Sequence, residues 1–330
     1  KLLLIKAFSF YRISFKLIRE INNNPNAIFY FHGIYRWPTT IGSYICRKNN
    51  YRYVIRVHGA LDPYLFKKSV KGKLFFIFKK ISEKVFDFQN LKKAMWVHLT
   101  SKNELIKLPN FCKENCNLQI IPNGISLPTI NKFIDIKKKY NLNNKQKIIL
   151  YLGRISEKKG LDLLIKAFPL VCKELKNTSL LIVGPDNENY ISKLRKIIKQ
   201  IDYSISKNII FDNKVSRSLI KSYFTQSDLF VLPSHSENFG MAVIESIYFG
   251  TPTLVSKNVD IFQELKKYHL LDIFEELNPL DISNKIIETL KDKSLKNKLK
   301  KNGKTIIRKM YSWGKVSNDI AQLTSKYLGS

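Results

Sequence analysis

The chain has 330 residues, 44% of them hydrophobic and 12% aromatic, too long for one small core and too apolar for a disordered polymer. Its 57 Lys and Arg against 26 Asp and Glu give a net charge of +31, and four cysteines are too few for a disulfide scaffold. No run of about 18 uncharged apolar residues occurs, so the sequence predicts no transmembrane helix.

Only ten of the 57 basic residues are Arg. Abundant Lys, Ile and Asn are what AT-rich codons give, and attraction to anionic lipid or nucleic acid is the other source of such a charge. Scarce Arg argues against reading bases, because bidentate contacts to guanine favour Arg, so no nucleic-acid partner is expected. The sequence starts at Lys1, and Lys1–Ile5 is too short for the apolar region of a signal peptide; a missing N-terminus is the expectation.

In chain order, short apolar runs predict strands at Ala27–His32, Tyr53–His58, Trp96–Thr100 and Gln119–Pro122. Between the second and third, residues 65–93 interleave Lys67, Lys68, Lys71, Lys73, Lys79, Lys80, Lys84, Lys92 and Lys93 with Phe66, Phe75, Phe76 and Phe78. This is either a helix with a buried Phe face or a basic helix lying on an anionic membrane. The polar stretch Lys137–Lys147 reads as a hinge. A second strand series follows at Ile148–Gly153, Ser179–Gly184, Asn208–Phe211, Asp228–Pro233 and Pro252–Ser256, with helical spacing in Leu161–Leu175 and Ser216–Phe224. From Asp281 to Tyr327 the pattern is helical only, and Leu290–Lys304 reads as a solvated lysine face.

Strands alternating with helices predict α/β architecture with parallel sheets, here two domains with a cleft between them. The expected divisions are residues 1–141, 142–312 and a closing helix, 313–330, that crosses back to the first domain. Ligands in such folds sit beyond the carboxyl ends of the strands, so the residues that follow strands carry the chemistry.

Two stretches stand out. Gly153-Arg154-Ile155-Ser156-Glu157-Lys158-Lys159-Gly160 follows an apolar strand, and two cations beside a helix start suit a diphosphate; the alternative is an ordinary charged loop. Ser234-His235-Ser236-Glu237-Asn238-Phe239-Gly240 leads into an apolar helix, Met241–Phe249, that carries Glu245. A carboxylate in a buried helix needs partners, either the two hydroxyls of a ribose or a buried lysine. The amides near Phe239 and Gly240 are free at the helix start for phosphate.

Glu237-x7-Glu245 resembles the acidic motif of the group 1 glycosyltransferases, glycosyltransferase family 4. Gly153-Arg154 with Lys159-Gly160 is similar to that family's diphosphate site, and Pro122-Asn123-Gly124-Ile125 to its interdomain turn. Gly184-Pro185, Tyr311-Ser312-Trp313, His32-Gly33-Ile34-Tyr35, His58-Gly59-Ala60-Leu61-Asp62-Pro63 and Thr100-Ser101 with Glu104 match further family segments in the right order. The resemblance implies a GT-B fold of two Rossmann-like domains and retaining, metal-independent transfer from a nucleotide sugar, with no cofactor. The acceptor would be a glycan or lipid-linked glycan of surface polysaccharide, the location cytoplasmic at the inner membrane face. It implies Glu237 and His58 as catalytic residues. Arg154, Lys159, Glu245, Asn238, Phe239, Gly240 and Val215 would hold the donor.

Departures from the family pattern set further expectations. The glycine-rich loop that usually opens the first domain is absent, so that domain is expected to be incomplete and the chain to transfer poorly; the alternative function is a catalytically impaired nucleotide-sugar-binding remnant. Asn213 stands where the family has Gly, and Tyr268–Leu277 replaces a glycine-containing segment. His32 is either a structural histidine or an acceptor contact, and His98 is expected inside a strand. Cys112 and Cys116 lack a second pair for zinc, and Cys46 and Cys172 read as core residues.

Overall fold

A computed structural model describes residues 15–64, 82–126, 132–213 and 215–329. The expectations for Lys1–Ile5 and for the basic aromatic stretch at 65–81 lie outside the described residues. Contacts divide the chain into two compact units, one up to Pro122 plus Asn318 onward, the other Asn123–Ser317.

The first unit holds a parallel sheet of β1 (Ile28–His32), β2 (Arg52–Arg56), β3 (Trp96–Leu99) and β4 (Leu118–Ile120), in that spatial order. All four residues of β3 are buried, as befits a strand covered on both faces. Its core gathers Phe31, Tyr53, Ile55, Val97 and Leu99.

The second unit holds six parallel strands: β5 (Lys147–Leu152), β6 (Thr178–Val183), β7 (Ile209–Asp212), β8 (Leu229–Leu232), β9 (Thr253–Ser256) and β10 (Asp272–Phe274). Their order is β10-β9-β8-β5-β6-β7. The chain steps outward from β5 to β7, then returns to β8 on the other flank of β5. The ends of β5 and β8 therefore flank the point where strand order reverses, where open α/β sheets bind ligands. β6, β8 and β9 are buried at every position; β8 is an unbroken apolar run, and β6 and β9 carry Thr and Ser that are buried as well.

Three features bear on the organisation read from the sequence. The first division falls at Asn123 rather than 141/142, because the segment ahead of β5 is packed rather than solvated. Ile136 N–H donates to Gln226 Oε1 at 2.9 Å. The Asp212 carboxylate at the end of β7 accepts from Lys139 at 2.7 Å, from the Tyr223 hydroxyl at 2.9 Å and from the Tyr140 hydroxyl. These donors hold the Asp212 carboxyl down at about 2, against the raising effect of its partial burial. Secondly, Trp313–Leu328 is one helix, and contacts assign it from Asn318 onward to the first unit. There Tyr327 stacks on Trp96 with ring centroids 5.4 Å apart and accepts hydrogen bonds from Asn117 and Gln119. Thirdly, the segment Tyr268–Leu277 contains β10, whose three residues are too few to show a period.

Candidate nucleotide-sugar site

β5 leads into Gly153, whose N–H donates to Val183 O at 2.9 Å, and Ile155 N–H donates to Pro185 O at 2.9 Å. The backbone on both sides of Arg154 is thus tied to the end of β6, and the Arg154 carbonyl accepts from the Tyr151 hydroxyl at 2.6 Å. The Arg154 side chain is exposed beside this fixed backbone. A 3₁₀ turn, Glu157–Lys159, follows and ends at Gly160 with φ +65°. A Cβ at Gly160 would lie 2.1 Å from the Pro233 carbonyl oxygen. Only glycine lets the loop after β5 close on the loop after β8. His235 N–H donates to Lys158 O at 2.9 Å and joins the same two loops.

This approach carries Lys159 Nζ onto the Glu237 carboxylate as a short ion pair, the two side chains 13% and 20% exposed. The sequence assigned these residues to separate parts of a donor; the structure joins them. Glu237 is fixed by its backbone: its N–H donates to Asn258 O at 3.0 Å and its carbonyl accepts from Asp260 N–H at 2.8 Å. Beyond it, the Phe239 and Gly240 amides make no hydrogen bond among the described residues. Asn238 Oδ1 is buried without a partner among those residues. The Phe239 ring is core, edge-on to Tyr311 at 5.8 Å, so that residue offers the site its backbone only.

Glu245 lies on the buried face of the Met241–Tyr248 helix. Burial pushes its carboxyl pKa up, and the Arg217 guanidinium opposes that shift. Its partner is Arg217, at 3.3 Å, rather than a lysine. The same Arg217 nitrogen also donates to the Ser126 carbonyl. Only Glu245 Oε1 takes this bond, so Oε2 has no protein partner among the described residues. Sequence reasoning missed Arg217; its one signal was an arginine, rare in this chain, in the turn after β7. Val215, two residues earlier, is half-buried against the core.

Two motifs read separately in the sequence also meet. Ile125 N–H donates to Tyr311 O at 2.7 Å, and Trp313 Nε1 donates to Ser126 Oγ at 2.7 Å. A Cβ on Gly124 would sit 2.5 Å from the Trp313 ring, which explains the glycine of the Pro-Asn-Gly turn.

The first unit brings His32 and His58 together at the ends of β1 and β2, with His32 Nδ1 2.9 Å from His58 Nε2. Both are exposed, and Arg56 is buried close by. Desolvation lowers both imidazole pKa values and the Arg56 charge lowers them further, that of His58 to about 4. His98 is buried as expected. Its Nε2 hydrogen-bonds Ile121 O at 2.6 Å and its Nδ1 the Tyr30 hydroxyl, and burial pushes its pKa down to about 3. Cys112 is buried and Cys116 half-buried, both as free thiols. Among the described residues no three His, Cys, Asp or Glu side chains are grouped to hold a metal, and no helix is long and apolar enough to cross a membrane.

Residues 132–306 match the family described as glycosyl transferases group 1, and the chain belongs to that family. It is 26% identical over 189 residues to an uncharacterised glycosyltransferase of Methanocaldococcus jannaschii, a match covering 56% of this chain and 46% of that protein. It is 26% identical over 210 residues to lipopolysaccharide 1,2-N-acetylglucosaminetransferase of Salmonella typhimurium, covering 61% and 54% of the two. The chain thus spans about half the length of these curated relatives. Anabaena HepE, solved with UDP and glucose, superposes with a TM-score of 0.74 at 15% identity over 94% of this chain and 81% of HepE. The fold is GT-B, two parallel-sheet α/β domains.

Proposed function

We propose that this chain transfers a sugar, with retention and without a metal, from a nucleoside-diphosphate sugar to a glycan or lipid-linked acceptor in surface polysaccharide synthesis. The observation that carries the reading is the cluster at the strand-order reversal of the second unit. There Arg154 and the Lys159–Glu237 pair lie on the loops after β5 and β8, and the unbonded Phe239 and Gly240 amides follow on the second of these. Cations and free amides suit a diphosphate, and Glu245 with its open Oε2 suits a ribose hydroxyl. When the donor's bond from anomeric carbon to oxygen breaks, negative charge grows on the departing phosphate. Arg154 and Lys159 are the groups to stabilise it, a role that elsewhere falls to a metal. Glu237, released in part by Lys159, takes the hydroxyls of the sugar.

The acceptor class is taken from the lipopolysaccharide relative, and the donor class from HepE, also solved with UDP-glucose. A cytoplasmic site at the inner membrane face, with the lysine excess drawn to anionic lipid, fits that acceptor.

The test is a thermal-shift screen of the chain against UDP-, GDP- and ADP-sugars, followed by a transfer assay. A ligand at 100 times its Kd stabilises by about 2.7 kcal/mol, so one nucleotide class should raise Tm in a concentration-dependent way. No shift with any nucleotide sugar would sink the donor assignment. Binding without transfer to any lipid-linked glycan would favour the binding remnant instead.

A further inference from the structure

We infer that His32 is a positioning residue that locks the tautomer of His58, so that the pair offers a sugar one acceptor, His58 Nδ1, and one donor, His32 Nε2–H. The choice of a sugar as the ligand rests on the function proposed above; the locked tautomer does not.

The two rings share one proton across their contact. His32 Nδ1 and His58 Nε2 stand 2.9 Å apart, with ring centroids 5.2 Å apart and 29° between the ring planes, the separation of two imidazoles that meet edge to edge. A neutral imidazole carries a single N–H, so one of these nitrogens donates and the other accepts. If His58 Nε2 donates, its Nδ1 is bare; His32 Nδ1 is then the acceptor and the His32 proton must be on Nε2. If His32 Nδ1 donates, every assignment reverses. The two tautomers are therefore bound to each other, and only two arrangements exist. The first uses the commoner Nε2–H form of both rings, and the second needs the less stable Nδ1–H form of both. The first is the one assigned here.

Both rings must also stay uncharged for the pair to offer that acceptor, since a proton added to His58 Nδ1 would leave the bond to His32 in place but turn the acceptor into a second donor. Buried Arg56 beneath the pair works against that proton, as the lowered pKa values of both rings reflect. The rings are held on fixed backbone. Gly33 N–H donates to Arg56 O at 2.8 Å, which ties the end of β1 to β2. His58 takes a left-handed conformation, φ +53°, costly for a residue with a Cβ. Glu104 secures it: one carboxylate oxygen accepts from Gly59 N–H at 2.6 Å, the other from Thr100 N–H at 2.6 Å and the Thr100 hydroxyl at 2.8 Å. The Ser101-Lys102-Asn103-Glu104 stretch has the form of a capping box, and Ser101 Oγ does accept from Glu104 N–H at 3.0 Å. The carboxylate returns to Thr100 and Gly59 rather than to Ser101 N–H, and so braces the turn that carries His58.

The experiment is long-range ¹H–¹⁵N NMR of the full chain labelled at its five histidines, assigned by single substitutions. In the wild type both Nδ1 atoms of the pair should resonate as bare nitrogens and both Nε2 atoms as protonated ones. His32→Ala should release His58 into exchange between tautomers, with averaged shifts. His32→Phe, which keeps an aromatic ring but not the acceptor, should do the same and serves if the alanine variant fails to fold. His32→Gln, whose Oε1 accepts from His58 Nε2–H, should restore the wild-type pattern. Wild-type rings in the Nδ1–H form, or His58 shifts unmoved by both Ala and Phe, would overturn the inference. Titration of the same samples with UDP-glucose is read separately. Absence of binding would fail the proposed function and leave the tautomer result standing. With binding present, transfer should drop at least threefold in kcat for Ala and Phe and recover for Gln.

Discussion

At the ends of β5 and β8 the second unit collects charge: Arg154, the Lys159–Glu237 pair and, nearby, Arg217 on Glu245. At the ends of β1 and β2 the first unit displays two imidazoles whose charge is suppressed over a buried arginine. The backbone architecture is the same in both places, parallel strands whose following turns carry the chemistry. What differs is where the permanent cation sits. In the second unit it stands on the loops that follow the strands, which under the function proposed above suits a diphosphate. In the first unit Arg56 is buried, where it keeps the histidines neutral and suits uncharged hydroxyls. One fold thus builds an ionic site or a hydrogen-bonding site by moving a guanidinium across the strand end.

That contrast breaks most severely at Gly160. Gly160→Ala combines a left-handed φ with a Cβ 2.1 Å from the Pro233 carbonyl, so the two loops of the ionic site must part. A loss of about 3 kcal/mol in stability is expected, together with most of the nucleotide binding. The His32–His58 NMR pattern should be unaffected; a change there would deny that the two sites are built independently.

Lys159→Ala and Arg154→Ala come next. Each removes a charge-assisted contact of roughly 1.5–3 kcal/mol, a factor of about ten or more in nucleotide-diphosphate affinity by calorimetric titration. Lys159→Ala should cost more, because it leaves the Glu237 carboxylate bare beside the diphosphate. Equal, unaltered titrations for both variants would remove the diphosphate from this site.

Glu245→Gln preserves shape and removes charge. Its partner Arg217 is 58% exposed and stays hydrated, so melting should change little while nucleoside affinity falls about fivefold to tenfold. A large fall in Tm with intact binding would instead make the Arg217–Glu245 pair a structural bridge.

The smallest effect concerns the buried neutral histidine of the first unit. His98 has its pKa pushed down to about 3, against about 6.5 in the unfolded chain. Above pH 6.5 neither state binds the proton and the full stability is present. As pH falls from 6.5 toward 3 the unfolded state takes up the proton first, so stability declines, by about 1 kcal/mol at pH 6. Melting curves between pH 7 and 6 should show the decline, and His98→Gln should flatten it. An equal slope in the variant would assign the decline to other groups.

Much of this was legible in the sequence. Nine of the ten strands fall on short, largely apolar runs closed by glycine, proline or polar residues, a signal that survives without knowledge of partners even where, as in β1 and β4, few residues are buried. The site residues were legible because they follow those strands. Their pairings were not. Lys159 and Glu237 are 78 positions apart, and their contact depends on a backbone approach that only the Gly160 conformation announces. Arg217 carried no spacing to identify it. Lys137–Lys147 read as a hinge because Lys137, Lys138 and Lys139 are consecutive, which hid the bonds of Lys139 and Tyr140 to Asp212.

Tyr327 stacked on Trp96 has a consequence for how the chain is made. The unit containing β1 to β4 also needs residues from Asn318 onward, which leave the ribosome only after all of Asn123–Ser317. Synthesis therefore finishes the second unit while the first still exposes Trp96 Nε1, Asn117 and Gln119 without the tyrosine that covers them. The unit begun first is completed last, and a nascent chain arrested between Ser317 and Tyr327 holds every residue of the second unit while the first still lacks its closing segment. Chaperones that act on this protein during translation would find their substrate in the earliest strands rather than the latest.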